Sequence, residues 1–527
     1  MWLACAPACA QTAKPDYSDV RQYIAKTWDA LTRSMNQCET IADPKVAGQA
    51  TLYVPAETTI DDGLKELSSR CNVHVAQLPE RIARPGEFDV TQVRGQHGLL
   101  LLPNPYVVPG GFFNEMYGWD SYFIALGLID DGKIDVARGM AENFFFEIEH
   151  YGAVLNANRT YYLTRSQPPY LSSMVLAIYQ AELKTDRNDR DWLARAYDYI
   201  VRDHAMWTSV PHLAGKTGLS RYFDHGRGPV PEENASQNSY YHQVIGRMIE
   251  RPELRGNALV TLSGAQQPED GPAYSIRICE NESNCDQVTR LAFTADYYKG
   301  DRAMRESGFD ISFRFGPYGA RTHHFAPVCL NSLLYKTEKD LEQIAGILGR
   351  SADAARWRDA AAARQKTMQS LMWDDQRGMF FDYDFDAGKR STYEFATTFY
   401  PLWTGWATPR QAAALEKNLK TLERPGGLMT SATETGVQWD APFGWAPLEL
   451  IAVEGLRRYG FRADADRIAR EFIGTVAENF SRDHTIREKY NVVTRSSDVQ
   501  VTAGYQTNVI GFGWTNGVFL ELLRGLQ

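Results

Sequence analysis

Five stretches of this chain concentrate carboxylates, guanidiniums, carboxamides and indoles. They are PGGFFNEMYGWDSYF at 109–123, LNANRTYYLTRSQPPY at 155–170, ESGFDISFRF at 306–315, GVQWDAPFGWAPLEL at 436–450 and IREKYNVV at 486–493. Side chains of these types suit cleavage of a glycosidic bond, which needs two carboxyl groups flanking that bond. One of the two must hold a proton at working pH, and burial or a neighbouring carboxylate supplies that. With 65 acidic residues, composition does not choose the pair, and the loops must. A single Trp-Asp pair is explained as a helix cap, because Asp is a good N-cap. Five such stretches beside helices are better explained by a ligand.

The elements that must position these loops are helical. Apolar residues recur at i, i+3, i+4 and i+7 over 121–129, 134–148, 170–183, 192–208, 292–305, 331–348, 351–372, 409–422, 447–459, 462–479 and 512–523. Strand-like alternation is scarce. Residues 1 to about 80 read as an irregular entry with helices at 17–35 and 60–67. Antiparallel helix pairs joined by Gly- and Pro-rich loops predict one all-α domain, and a double ring of helices, the (α/α)6 toroid, fits the count. The expected organisation is a leader at 1–10, an extension at 11–104 packed on the toroid, and a catalytic domain at 105–527. Residues 234–286 are polar and rich in Gly and Pro, and they read as a long loop inserted at the mouth of the site.

Composition narrows the function. The net charge is −9 and no basic block occurs, which argues against nucleic acid as a partner. No apolar run reaches the ~18 residues of a membrane span. Aromatic residues make up 12%, suited to stacking on sugar faces and equally to a large core. No CxxC or HExxH spacing occurs, so neither a metal nor another cofactor is expected. MWLACAPACAQ at the start ends in a small-x-small pattern and reads as a signal-peptide stump, although no basic region precedes it. Cys279 and Cys285 bracket a polar loop and read as a disulfide, Cys38 and Cys71 as a second pair, and Cys329 as a buried thiol. The expected location is therefore periplasmic or secreted, and the chain is expected to act as a monomer.

The same stretches resemble the signatures of the trehalase family, glycoside hydrolase family 37. PGGFFNEMYGWDSYF resembles its first signature and QWDAPFGWAP its second, with Phe443 where the family usually has Asn. ESGFDISFRF is similar to its Glu-Ser-Gly-Trp-Asp motif, REKY to its Glu-Lys-Tyr motif, and GFGWTNGV at 511–518 to its C-terminal Phe-Gly-Trp-Thr-Asn-Gly. The motifs run in family order from about residue 105 to 523. The resemblance implies an (α/α)6 fold and inverting hydrolysis of α,α-trehalose, with Asp310 as general acid and Glu488 as general base. It also implies that Phe113, Trp119, Asp120, Asn156, Arg165, Gln167, Glu232, Gly308 and Trp439 line the sugar sites. An inverting pair is expected roughly 6.5–9.5 Å apart. Arg165 is read either as a donor to substrate or as a structural salt bridge, and Asp440 either as a site residue or as a helix cap.

Departures from the family pattern bear on the substrate. Phe112 stands where the family has Arg after Pro-Gly-Gly, Val230 replaces the Arg of Arg-Pro-Glu, and Phe309 replaces Trp. The stretch 501–505 lacks the glutamate of the family's glycine-rich lid. Each lost charged hydrogen bond is worth roughly 1.5–3 kcal/mol. Arg247, Arg251 and Arg255 of the inserted loop are expected to compensate by folding over the leaving sugar. The alternatives are an inverting α-glucosidase for another small α-glucoside and a catalytically silent sugar-binding protein.

Overall fold

The computed structural model describes residues 16–46, 48–90, 93, 97–233, 240–277, 288–504 and 507–527. Six helices form an inner ring: Asp120–Asp130, Leu171–Leu183, Val328–Ile347, Tyr400–Thr404, Ala446–Arg458 and Gly513–Gly525. Each packs on the next, and the last packs on the first, so the ring closes. The expected (α/α)6 toroid is the fold.

Sequence explains which helices go inside. Asp120–Asp130 (DSYFIALGLID) and Leu171–Leu183 (LSSMVLAIYQAEL) are apolar around nearly their whole circumference, and almost every residue in them is buried. Outer helices carry a single stripe. In Arg190–Trp207 the buried residues are Trp192, Leu193, Ala196, Tyr197, Ile200, Asp203, His204 and Trp207. Ile134–His150, Ser351–Met372 and Arg462–Asp483 pack outside their inner partners in the same way. Pro409–Lys417 lies beside Ser351–Met372, joined to it by the Gln369–Gln411 carboxamide pair. Ser18–Leu31, upstream of the extension's expected end, packs against Gly513–Gly525.

Ring closure depends on one close approach. A Cβ at Gly127 would lie 2.5 Å from the Gly517 Cα, and one at Gly517 would lie 2.1 Å from the Phe123 carbonyl oxygen. Neither contact is tolerable, so side chains here force the helices apart at a cost of about 1–3 kcal/mol.

Two regions differ from the sequence reading. Residues 234–286 are not simply a loop. They contain the helix Tyr240–Glu250 and, with Val288–Phe293, an antiparallel sheet ordered Leu259–Thr261, Val288–Phe293, Tyr274–Arg277. This unit has its own core of Tyr241, Val244, Ile245, Leu291, Phe293 and Tyr297. The N-terminal region is likewise more ordered than expected. A parallel sheet, His74–Gln77 beside Thr51–Val54 beside Leu99–Leu100, is crossed by the helix Asp62–Cys71. Its strands of two to four residues are too short to show a period. Cys38 and Cys71 are disulfide-bonded and Cys329 is a buried free thiol. Residues 278–287, with the expected Cys279–Cys285 pair, and residues 1–15 lie outside the described residues.

Candidate active site

Asp310 follows the helix Ala295–Glu306, which starts at a Thr294 cap accepting from the Tyr297 amide at 3.2 Å. The helix end is pinned by Glu306, whose buried carboxylate accepts from the Ser166 amide at 3.2 Å and the Phe223 amide at 2.6 Å. The chain then turns at Gly308, with φ +75°, where a Cβ would meet the Trp119 indole at 2.9 Å. A side chain here would be both strained and excluded.

Beyond Asp310 the chain is clamped from the 436–445 segment. The Gln438 carboxamide donates to the Asp310 carbonyl, and the Trp439 amide donates to the Ile311 carbonyl at 3.0 Å. Asp440 accepts from the Phe313 amide at 2.9 Å, the Ser312 hydroxyl at 3.2 Å and the Thr435 hydroxyl at 2.7 Å. Asp440 is thus a buried clamp on the loop that carries Asp310. Burial pushes its carboxyl up to about 6 against those hydrogen bonds.

Glu488 stands on the opposite motif, at the start of Lys489–Asn491, which pairs with Phe443–Trp445. Its backbone amide donates to Val509, and its carbonyl accepts from the Trp514 indole at 3.2 Å. The Lys489 ammonium lies 2.6 Å from the Glu488 Oε2 and 5.0 Å above the Trp445 ring.

Both carboxyls line one cavity of about 1050 Å³. All nine other expected positions line it too: Phe113, Trp119, Asp120, Asn156, Arg165, Gln167, Glu232, Gly308 and Trp439. Indoles of Trp119, Trp439, Trp445 and Trp514 line part of it. Trp439 stacks on Trp445 at 3.8 Å, and Trp119 packs edge-on against Phe309 at 5.4 Å and Trp514 at 5.5 Å. Gln167 also serves the scaffold, accepting from the Trp119 amide at 2.9 Å. The Asn156 carboxamide donates to the Arg305 carbonyl at 3.4 Å. Phe112 is 67% exposed and lines the cavity, whereas Val230 is fully buried elsewhere.

The electrostatics set the carboxyls apart. Asp310 opens to the cavity, with 34% of its side chain exposed, yet lies deep in protein. Burial pushes its pKa up to about 7; Arg305 and Arg165 oppose this and Glu232 adds to it. Burial also holds the Asp120 carboxyl well above the usual range, assisted by Glu488 and Asp310. For Glu232 burial acts upward too, but Arg165 and Arg305 outweigh it and the carboxyl is held below the ordinary range. Arg165 is ion-paired with Glu232 and lies 3.7 Å from Asp224. Both readings of Arg165 therefore meet in one side chain that faces the cavity and is already paired.

The inserted segment does not supply the expected cations. Arg247 pairs with Glu250 and Arg251 with Glu253 on the surface, and Arg255 reaches the Leu259 carbonyl; none lines the cavity. Among the described residues, the cavity's guanidiniums besides Arg165 come from Arg159, Arg305 and Arg487. Arg305 is 3.2 Å from Glu233, 3.4 Å from Asp301 and 4.0 Å from Asp310. The signal for it was present: Arg305 immediately precedes Glu-Ser-Gly and stands four residues after Asp301 on a helix. The first-signature loop is braced from the N-terminal region. Buried Glu115 meets Arg159 at 2.7 Å and Lys45 at 2.9 Å, and Asp43 meets Arg159 at 2.7 Å.

This geometry has relatives. The family model described as Trehalase matches residues 8–527. The chain belongs to the trehalase family. A cytosolic neutral trehalase of Beauveria bassiana is 37% identical over 95% of this chain and 72% of its own length. A cytosolic neutral trehalase of Saccharomyces cerevisiae is 34% identical over 94% and 70%. The solved neutral trehalase Nth1 from Saccharomyces cerevisiae superposes with a TM-score of 0.77 at 33% identity, covering 96% of this chain and 94% of that one. A mannosylglycerate hydrolase from Thermus thermophilus shares the fold alone, with a TM-score of 0.51 at 17% identity over 79% of this chain and 95% of its own. Similarity to proteins named cytosolic overturns the expectation of a signal peptide and of a periplasmic or secreted location. That expectation rested on the Ala-Cys-Ala pattern, a short compositional match without the basic region that a signal peptide carries, and on the cysteine pairs, of which Cys38–Cys71 is formed.

Proposed function

We infer that this chain hydrolyses α,α-trehalose to two glucose molecules with inversion, using Asp310 as general acid and Glu488 as general base. The observation that carries this reading is the shared cavity, in which the Asp310 carboxyl is pushed up to about 7. A group with that proton affinity is substantially protonated near neutrality and gives up its proton readily, as a general acid must. Asp310 protonates the bridging oxygen while Glu488 takes a proton from water attacking the opposite face of the ring. One glucose leaves as the β anomer and the other as the α anomer. The two carboxyls are expected roughly 6.5–9.5 Å apart in a sugar-bound crystal structure.

Binding is assigned to the sequence-selected set. Asp120, Asn156 and Gln167 meet sugar hydroxyls, Arg165 and Glu232 supply charged partners, and Phe113, Trp119 and Trp439 with Gly308 shape apolar walls. Arg305 takes the place of cations absent at Phe112 and Val230. NMR of a fresh digest of trehalose should show α- and β-glucose in equal initial amounts. Absence of glucose from trehalose, with turnover of another α-glucoside, would reassign the substrate. Binding without turnover of any glucoside would remove the catalytic reading.

A further inference from the structure

The region around the N-terminus of the Ala295–Glu306 helix, outside the residues that line the sugar cavity, holds a second group of chemically capable side chains. Asp296 lies in the helix's first turn, and His323 and His324 lie on the single 3-10 turn Thr322–His324 that packs against that helix. His323 Nε2 is 2.9 Å from Asp296 Oδ1, and His324 Nε2 is 3.3 Å from the same oxygen. The three ligand atoms lie within 4.8 Å of one another. We propose that Asp296, His323 and His324 form a binding site for a divalent transition-metal ion, with Zn²⁺ the best fit.

The ligand set and its spacing support this. Two imidazole nitrogens and a carboxylate oxygen suit Zn²⁺ among the divalent ions, and with ~2.0–2.1 Å bonds a tetrahedral site sets its ligands ~3.3 Å apart. The His–Asp separations of 2.9 and 3.3 Å lie at or just below that value, so small side-chain rotations admit an ion, each ring then carrying its proton on Nδ1. Exposure gives it an entry path, since the Asp296 side chain is 62% exposed and that of His324 is 21% exposed. The other nitrogen of His324, Nδ1, lies 3.8 Å from Asp386 Oδ2. A carboxylate on that side favours, through its charge, the tautomer that keeps the proton on Nδ1 and turns Nε2 toward a metal.

The site is assembled from two helix-flanking segments 27 residues apart, which is why no contiguous motif announces it. An ion here ties the start of the helix that leads to Asp310 to the turn that precedes Val328–Ile347. Its effect is on stability, because none of the three ligands lines the sugar cavity.

The test is calorimetric titration of tag-free, chelator-treated protein with Zn²⁺, beside thermal melts with and without the ion. The wild type should bind one ion per chain and melt higher in its presence. His324→Ala and Asp296→Asn, at partly exposed positions, should fold, bind at least tenfold more weakly and lose the melting shift. Asp386→Asn should weaken binding by about tenfold or more. Failure of the wild type to take up an ion overturns the proposal. So does equal affinity in His324→Ala and Asp296→Asn.

Discussion

The two walls of the cavity hold their carboxyls by different means. The Asp310 wall holds two ion-paired triads, Asp301–Arg305–Glu233 and Glu232–Arg165–Asp224. The Glu488 wall is mostly aromatic, with Trp445, Trp514 and Phe512, and the Lys489 ammonium lies at hydrogen-bond distance from the carboxyl. On the first wall, proton affinity is a balance between burial and two guanidiniums that do not quite cancel it. On the second, position is set by strand pairing and by indole and hydroxyl donors to the backbone of Glu488 itself. One wall tunes a proton and the other aims an oxygen, the division of labour that an acid and a base in one hydrolysis require.

Removing either carboxyl should have the largest effect. Asp310→Ala and Glu488→Ala are each expected to lower kcat by roughly 100- to 10,000-fold, the range for a general acid or base. Circular dichroism should match wild type. Glucose release at a wild-type rate from either variant would take that residue out of its role.

Arg305→Gln tests whether the first wall is a balance. The substitution leaves Asp301 and Glu233 buried without this cation, and breaking such a buried pair costs about 3–5 kcal/mol. A clear fall in the urea midpoint is expected. Removing a cation that lowers the Asp310 pKa should also move the alkaline limb of kcat/KM upward. An unmoved limb would mean that burial alone sets the proton affinity.

Much of this was readable in advance. The helix Ser351–Met372 was placed to the residue because 22 residues repeat a period many times. The inner helix Tyr400–Thr404 escaped notice because five residues, opening on Pro401 and closing at Gly405 with φ +86°, hold barely one turn. The eleven site positions were chosen by motif, and all reach the cavity. Arg305 was missed because a helical Arg four residues from an Asp reads first as a surface pair. The Asp43 and Lys45 brace was illegible for another reason: partners some 70 to 116 residues apart leave no spacing to read.

A subtler test separates catalysis from stability at Asp310. Its folded pKa of about 7 exceeds the ordinary value of 3.8, so between these pH values the folded state holds a proton that the unfolded state has lost. Stability therefore falls as pH rises through that window, and the penalty is complete above pH 7. Asp310→Asn cannot titrate. Its melting temperature relative to wild type should rise between pH 4 and pH 8 while activity stays abolished. A difference independent of pH would contradict the raised proton affinity. For the wild type, kcat/KM should decline above about pH 7 as the acid ionises.

The smallest effect is expected where sequence reasoning had placed compensation. Arg247 and Arg251 sit 43% and 59% exposed and pair with glutamates on the same short stretch. Exposed pairs of this kind contribute ~0–1 kcal/mol, and neither guanidinium borders the cavity. The triple variant Arg247→Ala, Arg251→Ala, Arg255→Ala should therefore leave KM for trehalose within about twofold of wild type, since a twofold change is under ~0.5 kcal/mol. Arg305 is the contrasting case: it is buried against Asp301 and Glu233 and faces the substrate space. Should the triple variant instead raise KM tenfold or more, the inserted segment must swing over the leaving sugar on binding. The cationic half of the site would then be split between the fixed Asp310 wall and a moving cover.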